Sequence, residues 1–286
     1  MGRPNVGKST LINALLGQKV AAVSPRPQTT RRRQLGILTL PQAQMIFIDT
    51  PGVHNPRHKL GERMNEEALE ALQHTDLIAF IVDGSEPATT EDSLLAGVLN
   101  RLGKPGKILV IINKIDQLKA GELASQQQTY LEMLPGTSVV GISATRGDGL
   151  KELVQSFIER LPENAPYYPE EQVTDLYERQ IAGDLIREAC LVFLREEIPH
   201  GIAVRIDDYQ ERGNEGAYIE ATLILERESH KGIVIGQGGL MLKKIGSAAR
   251  KEIEVMSGRK VFLQLRVKVR KNWRDDENAV KQYFSN

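Results

Sequence analysis

The sequence predicts an α/β chain of two domains, a doubly wound and mostly parallel sheet followed by a smaller α+β unit, on three observations. Short apolar runs alternate with longer helix-like stretches from Ile37 to about Leu161, the pattern of a parallel sheet with helices on both faces. A stretch with three prolines, Pro162-Glu-Asn-Ala-Pro166-Tyr-Tyr-Pro169, then excludes a helix interior or a central strand and reads as a linker. Beyond it the elements run helix, strand, strand, helix, helix, strand. Length agrees, because 286 residues exceed the size at which one hydrophobic core stops growing.

The expected boundaries are a first domain over residues 1–162, a linker over 163–172 and a second domain over 173–286. Four runs have the length of buried strands: Met45 to Ile48, Leu77 to Val82, Ile108 to Ile112 and Val139 to Ile142. After the linker come an amphipathic helix from Asp175 to Glu197 and strand-like runs from Ile202 to Tyr209 and Ala217 to Glu226. A Gly-rich loop, a helix-like stretch from Leu240 to Met256 and an alternating strand from Lys260 to Val269 follow.

Composition is that of a globular protein, with 41% hydrophobic and 26% charged residues and a formal net charge of zero. The global balance therefore points to no polyanionic partner, and charge has to be read segment by segment. No apolar run approaches the length of a membrane span. The single cysteine, Cys190, sits in a helix-like apolar run and reads as a buried hydrophobe, so no intrachain disulfide forms and a reducing cytoplasm is expected. His54, His58, His74, His200 and His230 lack ligand spacing, which excludes a structural zinc site as an expectation.

Gly2-Arg-Pro-Asn-Val-Gly7-Lys8-Ser9 has the form G-x-x-x-x-G-K-[ST], in which glycines let backbone N–H groups close around phosphate oxygens at a helix start. Lys8 is placed to meet the β- and γ-phosphates and the Ser9 hydroxyl to ligate magnesium. Asp49-Thr50-Pro51-Gly52 ends a strand-like run, putting a carboxylate at the strand's C-terminal edge for the magnesium shell and the Gly52 N–H toward the γ-phosphate. Asn113-Lys114-Ile115-Asp116 ends the next run. The Asp116 carboxylate accepts from guanine N1–H and the N2 amino group, donors that adenine lacks, and a site that relies on such donors discriminates by about four orders of magnitude. Ser143-Ala144-Thr145 closes the set with backbone N–H groups for guanine O6. Alone, each pattern is also met in ordinary turns; their order, each at a strand end, argues for GTP.

Between the first two motifs lies Gln28-Thr29-Thr30-Arg31-Arg32-Arg33, where an effector loop supplies a threonine to magnesium, either Thr29 or Thr30. Val53 stands where Ras-like enzymes carry a water-orienting glutamine, so slow intrinsic hydrolysis is expected.

In the second half, Gly236-Gln237-Gly238-Gly239 follows Ile233-Val234-Ile235. Eleven lysines and arginines from Lys243 to Arg274 face only Glu252 and Glu254, an excess of nine positive charges. Such a stretch favours a phosphate partner through counterion release. Trp273 is placed either to stack on a base or to pack against the final helix.

Together these segments resemble the Era branch of the translation-factor-related GTPases over nearly the whole chain. The resemblance implies a P-loop GTPase domain followed by a type II KH domain. It assigns GTP or GDP and Mg2+ to Gly2, Asn5, Val6, Gly7, Lys8, Ser9, Thr10, Asp49, Thr50, Pro51, Gly52, Asn113, Lys114, Asp116, Ser143, Ala144 and Thr145. Lys8, Thr30 and Gly52 are the expected catalytic groups, and Ser9, Thr30 and Asp49 the expected magnesium ligands. In the wider group an asparagine at the Asn5 position accompanies K+ near the phosphates. RNA contacts are carried to Ile235, Gly236, Gln237, Gly238, Gly239, Lys243 and Lys244, around a loop that takes about four single-stranded nucleotides. The implied partners are small-subunit ribosomal RNA, in its 3′ region, and the assembling small ribosomal subunit, with a loose peripheral association with the inner membrane.

Two departures stand out. Relatives often place a lysine within the loop where Gly238 stands here. Family members also carry an apolar strand ahead of the phosphate loop, whereas Gly2 follows Met1 directly; without that strand, weaker GTP affinity and stability are expected than in a chain extended upstream. Two other readings remain open on sequence: an RNA-binding assembly factor that no longer hydrolyses GTP, and another GTPase of the same group. The single set of GTPase motifs argues against its tandem-domain members.

Overall fold

The computed structural model describes the chain except residues 25, 27, 28, 53–57, 74, 212–215, 285 and 286. Gln28, Val53, His54 and His74 therefore lie outside the described residues. The described residues divide into two compact units. The first comprises Met1–Gly17, Arg32–Asn55 and Met64–Asp175, the second Gln18–Arg31, Pro56–Arg63 and Leu176–Asn286. Two short stretches of the N-terminal half thus group with the C-terminal unit, an arrangement that no single cut in the sequence describes.

The first unit starts with helix α1 (Lys8–Leu16), which Gly7 and Gly17 cap in the left-handed region. Strands β1 (Gln34–Leu40) and β2 (Ala43–Asp49) form an antiparallel hairpin. Helix α2 (Lys59–Gln73), whose residues up to Arg63 group with the second unit, leads to β3 (Ile78–Asp83), and α3 (Thr90–Arg101) to β4 (Ile108–Asn113). Helix α4 (Glu122–Met133) leads to β5 (Ser138–Gly141), and α5 (Leu150–Ile158) closes the series. The strands β3, β4 and β5 are parallel, as the alternation of runs and helices predicts, and β3 and β4 are almost wholly buried. A parallel strand covered on both faces has no solvated side, which is why Ile108–Asn113 reads as an unbroken apolar run.

β1 and β2 do not pair with the parallel strands; the two sheets are separate. A cavity of about 990 Å³ lies among Met45, Phe47, Leu77, Ala79, Ile81 and Phe157. On its β3 side, Met1 donates its amino group to the Ala79 carbonyl at 2.8 Å and accepts the Ile81 N–H at 2.8 Å.

The proline-rich segment is fastened to the hairpin. Gln44 accepts the N–H groups of Tyr167 and Tyr168 and donates to the Tyr168 carbonyl, while the Ile37 N–H donates to the Val173 carbonyl at 2.8 Å. Its prolines stiffen a strap that hydrogen bonds already hold.

In the second unit α6 (Glu178–Phe193) is followed by β6 (Ile202–Glu211), β7 (Ala217–Leu225), α7 (Glu228–Ile235), α8 (Leu240–Ser257), β8 (Val261–Val269) and α9 (Glu277–Phe284). This is the predicted element order with a short helix added at the end. β6 pairs antiparallel with β7, and β7 pairs parallel with β8. Ile181, Leu185, Ile186, Ile219, Leu223, Val234, Ile245 and Ile253 build the core. Cys190 is buried in it, and burial pushes its thiol up to about 12, so it is a packing residue. Among the described residues, no helix is long and apolar enough to cross a membrane.

Candidate functional site

The first unit gathers the four nucleotide motifs, three of them at strand ends. Close approach explains the loop glycines. A Cβ at Gly2 would stand 2.2 Å from the Ile81 carbonyl oxygen, and one at Gly7, where φ is 99°, would stand 2.2 Å from Asn113 Nδ2. Asn5 holds φ 66°, a conformation that asparagine tolerates better than most side chains. Lys8 Nζ donates to the carbonyls of Gly2 at 3.0 Å and Arg3 at 2.9 Å. Burial lowers its pKa to about 8, although the charge of Asp49 opposes the shift. Gly52 lies against the loop, where a Cβ would approach Pro4 N to 3.1 Å and Lys8 Nζ to 3.3 Å.

At the corner where magnesium is expected, Ser9 Oγ donates to Asp49 Oδ2 at 2.8 Å, and Asp49 is 1% exposed. Two hard oxygen donors therefore meet beside Lys8, the donor type that magnesium takes. Gln34 Nε2 reaches the same Asp49 oxygen at 3.5 Å from the start of β1. Sequence reading missed Gln34, since one polar residue at a strand start carries no signal. Thr30, the remaining expected magnesium ligand, groups with the second unit, whereas Ser9 and Asp49 belong to the first.

The corner where guanine is expected is built around Asn113. Its Nδ2 donates to the Val6 carbonyl at 2.8 Å, and its Oδ1 accepts the N–H groups of Lys114 at 2.8 Å and Ala144 at 3.0 Å. Lys114, at φ 65°, pairs with Asp83, whose carboxyl stays below the usual range because Lys114 and Ser85 bond it against the effect of burial. Asp116 Oδ1 is buried without a hydrogen-bond partner, while Oδ2 lies 3.8 Å from Arg146 Nε. A buried carboxylate oxygen without a donor is costly, and it fits a ligand that presents N–H groups there. The N–H groups of Ser143, Ala144, Arg146 and Gly147 are all engaged within the protein.

Arg3, which carried no assignment on sequence, joins the loop to α3. Its guanidinium pairs with Glu86 and lies 3.3 Å from the fully buried Asp92, which also closes the capping box of α3 with Thr89.

In the second unit, Ile235 ends α7 and residues 236–239 turn the chain into α8. Gly236, Gly238 and Gly239 adopt φ 74°, 56° and 80°. A Cβ at Gly236 would meet Met241 N at 2.8 Å, so the glycine there is sterically required. Lys243 and Lys244 are exposed on α8, and Lys244 Nζ lies 4.6 Å from the Phe193 ring centroid. Ile233 and Leu240 flank the loop as exposed apolar side chains, which sequence reading had not singled out.

Two expectations change with the structure in view. Of the two roles open to Trp273, packing holds: it is buried and donates to the Gly201 carbonyl at 2.9 Å, so it offers no face for a base. The excess of nine charges overstates the free positive surface. Arg259 pairs with Glu178 and Glu211, Arg266 with Glu220, Arg270 with Asp276 and Arg274 with Glu226, all acids outside the counted stretch.

Comparison with known proteins agrees with both halves. The family described as 50S ribosome-binding GTPase matches residues 1–114, and the KH domain family matches residues 197–274. The chain is 46% identical to GTPase Era of Halothermothrix orenii over 99% of this chain and 95% of the relative. It is 44% identical to GTPase Era of Geobacter metallireducens over 99% and 94%. A crystal structure of Era in complex with MgGDPNP and nucleotides 1506–1542 of 16S ribosomal RNA superposes with a TM-score of 0.93 at 39% identity, covering 99% of this chain and 95% of that one. A point variant of Aquifex aeolicus Era bound to GDP.AlF4- superposes equally well, with a TM-score of 0.93 at 40% identity and coverage of 99% and 96%. On a relationship that spans nearly the whole length of both partners, this chain belongs to the Era family of GTPases.

Proposed function

We propose that the chain is a GTP-hydrolysing switch that binds small-subunit ribosomal RNA through its second unit and assists assembly of the small ribosomal subunit. The observation that carries the nucleotide reading is the buried, partnerless Oδ1 of Asp116, at a corner where Asn113 ties the phosphate loop to Ala144. Guanine N1–H and N2–H supply donors to that carboxylate. With its neighbours engaged, Thr145 is the residue of the last motif whose N–H meets guanine O6. The loop N–H groups from Asn5 to Thr10 surround the phosphates, and Thr50 and Pro51 hold the Gly52 N–H toward the γ-phosphate.

Ser9, Asp49 and Thr30 hold magnesium in this reading, and when bound the ion supplies charge neutralisation across the β- and γ-phosphates. To reach the phosphates, Lys8 exchanges its bonds to the Gly2 and Arg3 carbonyls for bonds to phosphate oxygens. Asn5, held at φ 66° in the loop, is the residue we assign to K+. The RNA backbone passes close to residues 236–239, with Gln237 on the loop, Lys243 and Lys244 meeting phosphates and Ile233, Ile235 and Leu240 offering apolar surface to bases. Support for this RNA comes from the Era complex with 16S ribosomal RNA. A cytoplasmic location accords with the free Cys190.

The test is binding of a labelled RNA fragment from the 3′ region of small-subunit ribosomal RNA, compared with a scrambled fragment of equal length. Preference for the native fragment supports the assignment, and loss of that preference on Gly236→Ala locates it at the loop. Equal affinity for both fragments would refute a specific RNA partner.

A further inference from the structure

The stretch Gln18–Arg31 lies between the phosphate loop and the β1–β2 hairpin in sequence yet packs with the second unit, where two ion-pair and hydrogen-bond anchors hold it. Near its start, Lys19 Nζ pairs with Glu188 of α6 at 2.8 Å and with Glu252 of α8 at 2.9 Å, and the Val23 N–H donates to Glu188 at 3.0 Å. At its end Arg31, 7% exposed, donates from one guanidinium nitrogen to the Ile202 carbonyl and from another to the His200 carbonyl, both at 2.8 Å. The guanidinium carbon lies 5.9 Å from the centroid of the Trp273 ring, and Trp273 itself donates to the Gly201 carbonyl. Arg31 and Trp273 thus take three successive carbonyls at the turn that opens β6.

We propose that Arg31 is the positioning residue through which the nucleotide site and the RNA-binding unit sense one another, by holding the segment that carries Thr30 on the turn before β6. The inference rests on the proposed function, since it requires Thr30 to ligate magnesium and the second unit to bind RNA. Neighbouring Cα atoms are about 3.8 Å apart, so whatever fixes Thr30 on the metal also fixes the backbone of Arg31. A change in the docking of Arg31 is then felt at Thr30, and linkage makes the effect reciprocal.

The docking also leaves one nitrogen unsatisfied. Arginine keeps its charge, yet here it is buried, and its Nε has no hydrogen-bond partner. A buried cation with incomplete hydrogen bonding leaves part of its desolvation cost uncompensated.

The test uses the full chain and a fluorescent single-stranded RNA from the 3′ region of small-subunit ribosomal RNA. RNA affinity is measured with Mg2+ and GDPNP, then with Mg2+ and GDP, for the wild type, Arg31→Ala and Arg31→Lys. The wild-type ratio of the two affinities is expected on the order of 5- to 150-fold in either direction, and Arg31→Ala brings it within about twofold of unity. GDP affinity and the RNA affinity measured with GDP stay within about threefold of wild type, which a merely structural role would not allow. If Arg31→Ala does not fold, Arg31→Lys decides, because it keeps the charge but cannot span both carbonyls; a ratio reduced by about threefold or more supports the inference. An unchanged ratio in the folded variants overturns the inference and leaves the proposed function standing. A wild-type ratio of one overturns the switch reading itself.

Discussion

The side-chain amide of Asn113 donates to the Val6 carbonyl at 2.8 Å, tying the phosphate loop to the end of β4 through a buried contact. The same side chain accepts the Ala144 N–H at 3.0 Å, so one residue sets the spacing of three motifs. Asn113→Asp would turn the donor into an acceptor facing the Val6 oxygen. We expect GTP affinity to fall by about tenfold to a hundredfold, the equivalent of roughly 1–3 kcal/mol for an unsatisfied buried group. Titration with a fluorescent GTP analogue reads this, and an affinity equal to wild type would contradict the bracing role.

Asp116→Asn exchanges an acceptor pair for one donor and one acceptor. Each lost charge-assisted bond is worth about 1.5–3 kcal/mol, so GTP binding should weaken by at least about a hundredfold. Xanthine carries a carbonyl in place of the guanine amino group and should gain affinity from the new donor. Competition between the two triphosphates measures the exchange, and a variant that still prefers GTP would remove Asp116 from base recognition.

Lys8 gives a pH dependence. Its pKa in the folded chain is lowered to about 8, chiefly by burial, from an ordinary value of 10.5. Bound phosphate favours the charged form, so above pH 8 binding must take up a proton. Triphosphate affinity is then flat below about pH 8 and falls above it by at most about tenfold per pH unit. The linkage for stability has the opposite sign. Between about 8 and 10.5 the unfolded chain holds the proton and the folded chain does not, so this group makes stability rise with pH across that window. Calorimetric titration at several pH values checks the affinity, and an affinity that rises from pH 8 to 9 would contradict it.

Trp273→Ala removes the largest fully buried side chain among the described residues and leaves the Gly201 carbonyl without its donor. The expected cost to the second unit is about 3–5 kcal/mol. Differential scanning calorimetry should show the transition of that unit moving down, and GDP should protect the remaining transition as it does in the wild type. A base-stacking tryptophan would instead lose RNA affinity without losing stability.

How much of this was legible in the sequence depends on how far apart the partners lie. Asp49, Asn113, Asp116 and Ser143 are readable because each lies at or just beyond a strand run, and the phosphate loop because its own glycine and lysine spacing opens a helix, so local spacing fixes the geometry. The order of elements in the second unit was equally plain from periodicity. The antiparallel pairing of β1 with β2 was not, since nothing local distinguishes it from a strand of the parallel sheet. Neither were Gln34 beside Asp49 or Arg3 beside Asp92, because their partners are set by the fold. The basic stretch misled for the same reason: Arg274 has its acid at Glu226, 48 residues earlier. Trp273 left two readings open that burial alone could separate.

The most direct test of the central claim is GTP and ATP binding and turnover in Mg2+, with K+ or with Na+, followed by phosphate release. The account predicts a preference for GTP of about four orders of magnitude, slow hydrolysis and a rate that rises with K+. Equal binding of the two nucleotides, or GTP binding with no phosphate released under any of these conditions, would contradict it.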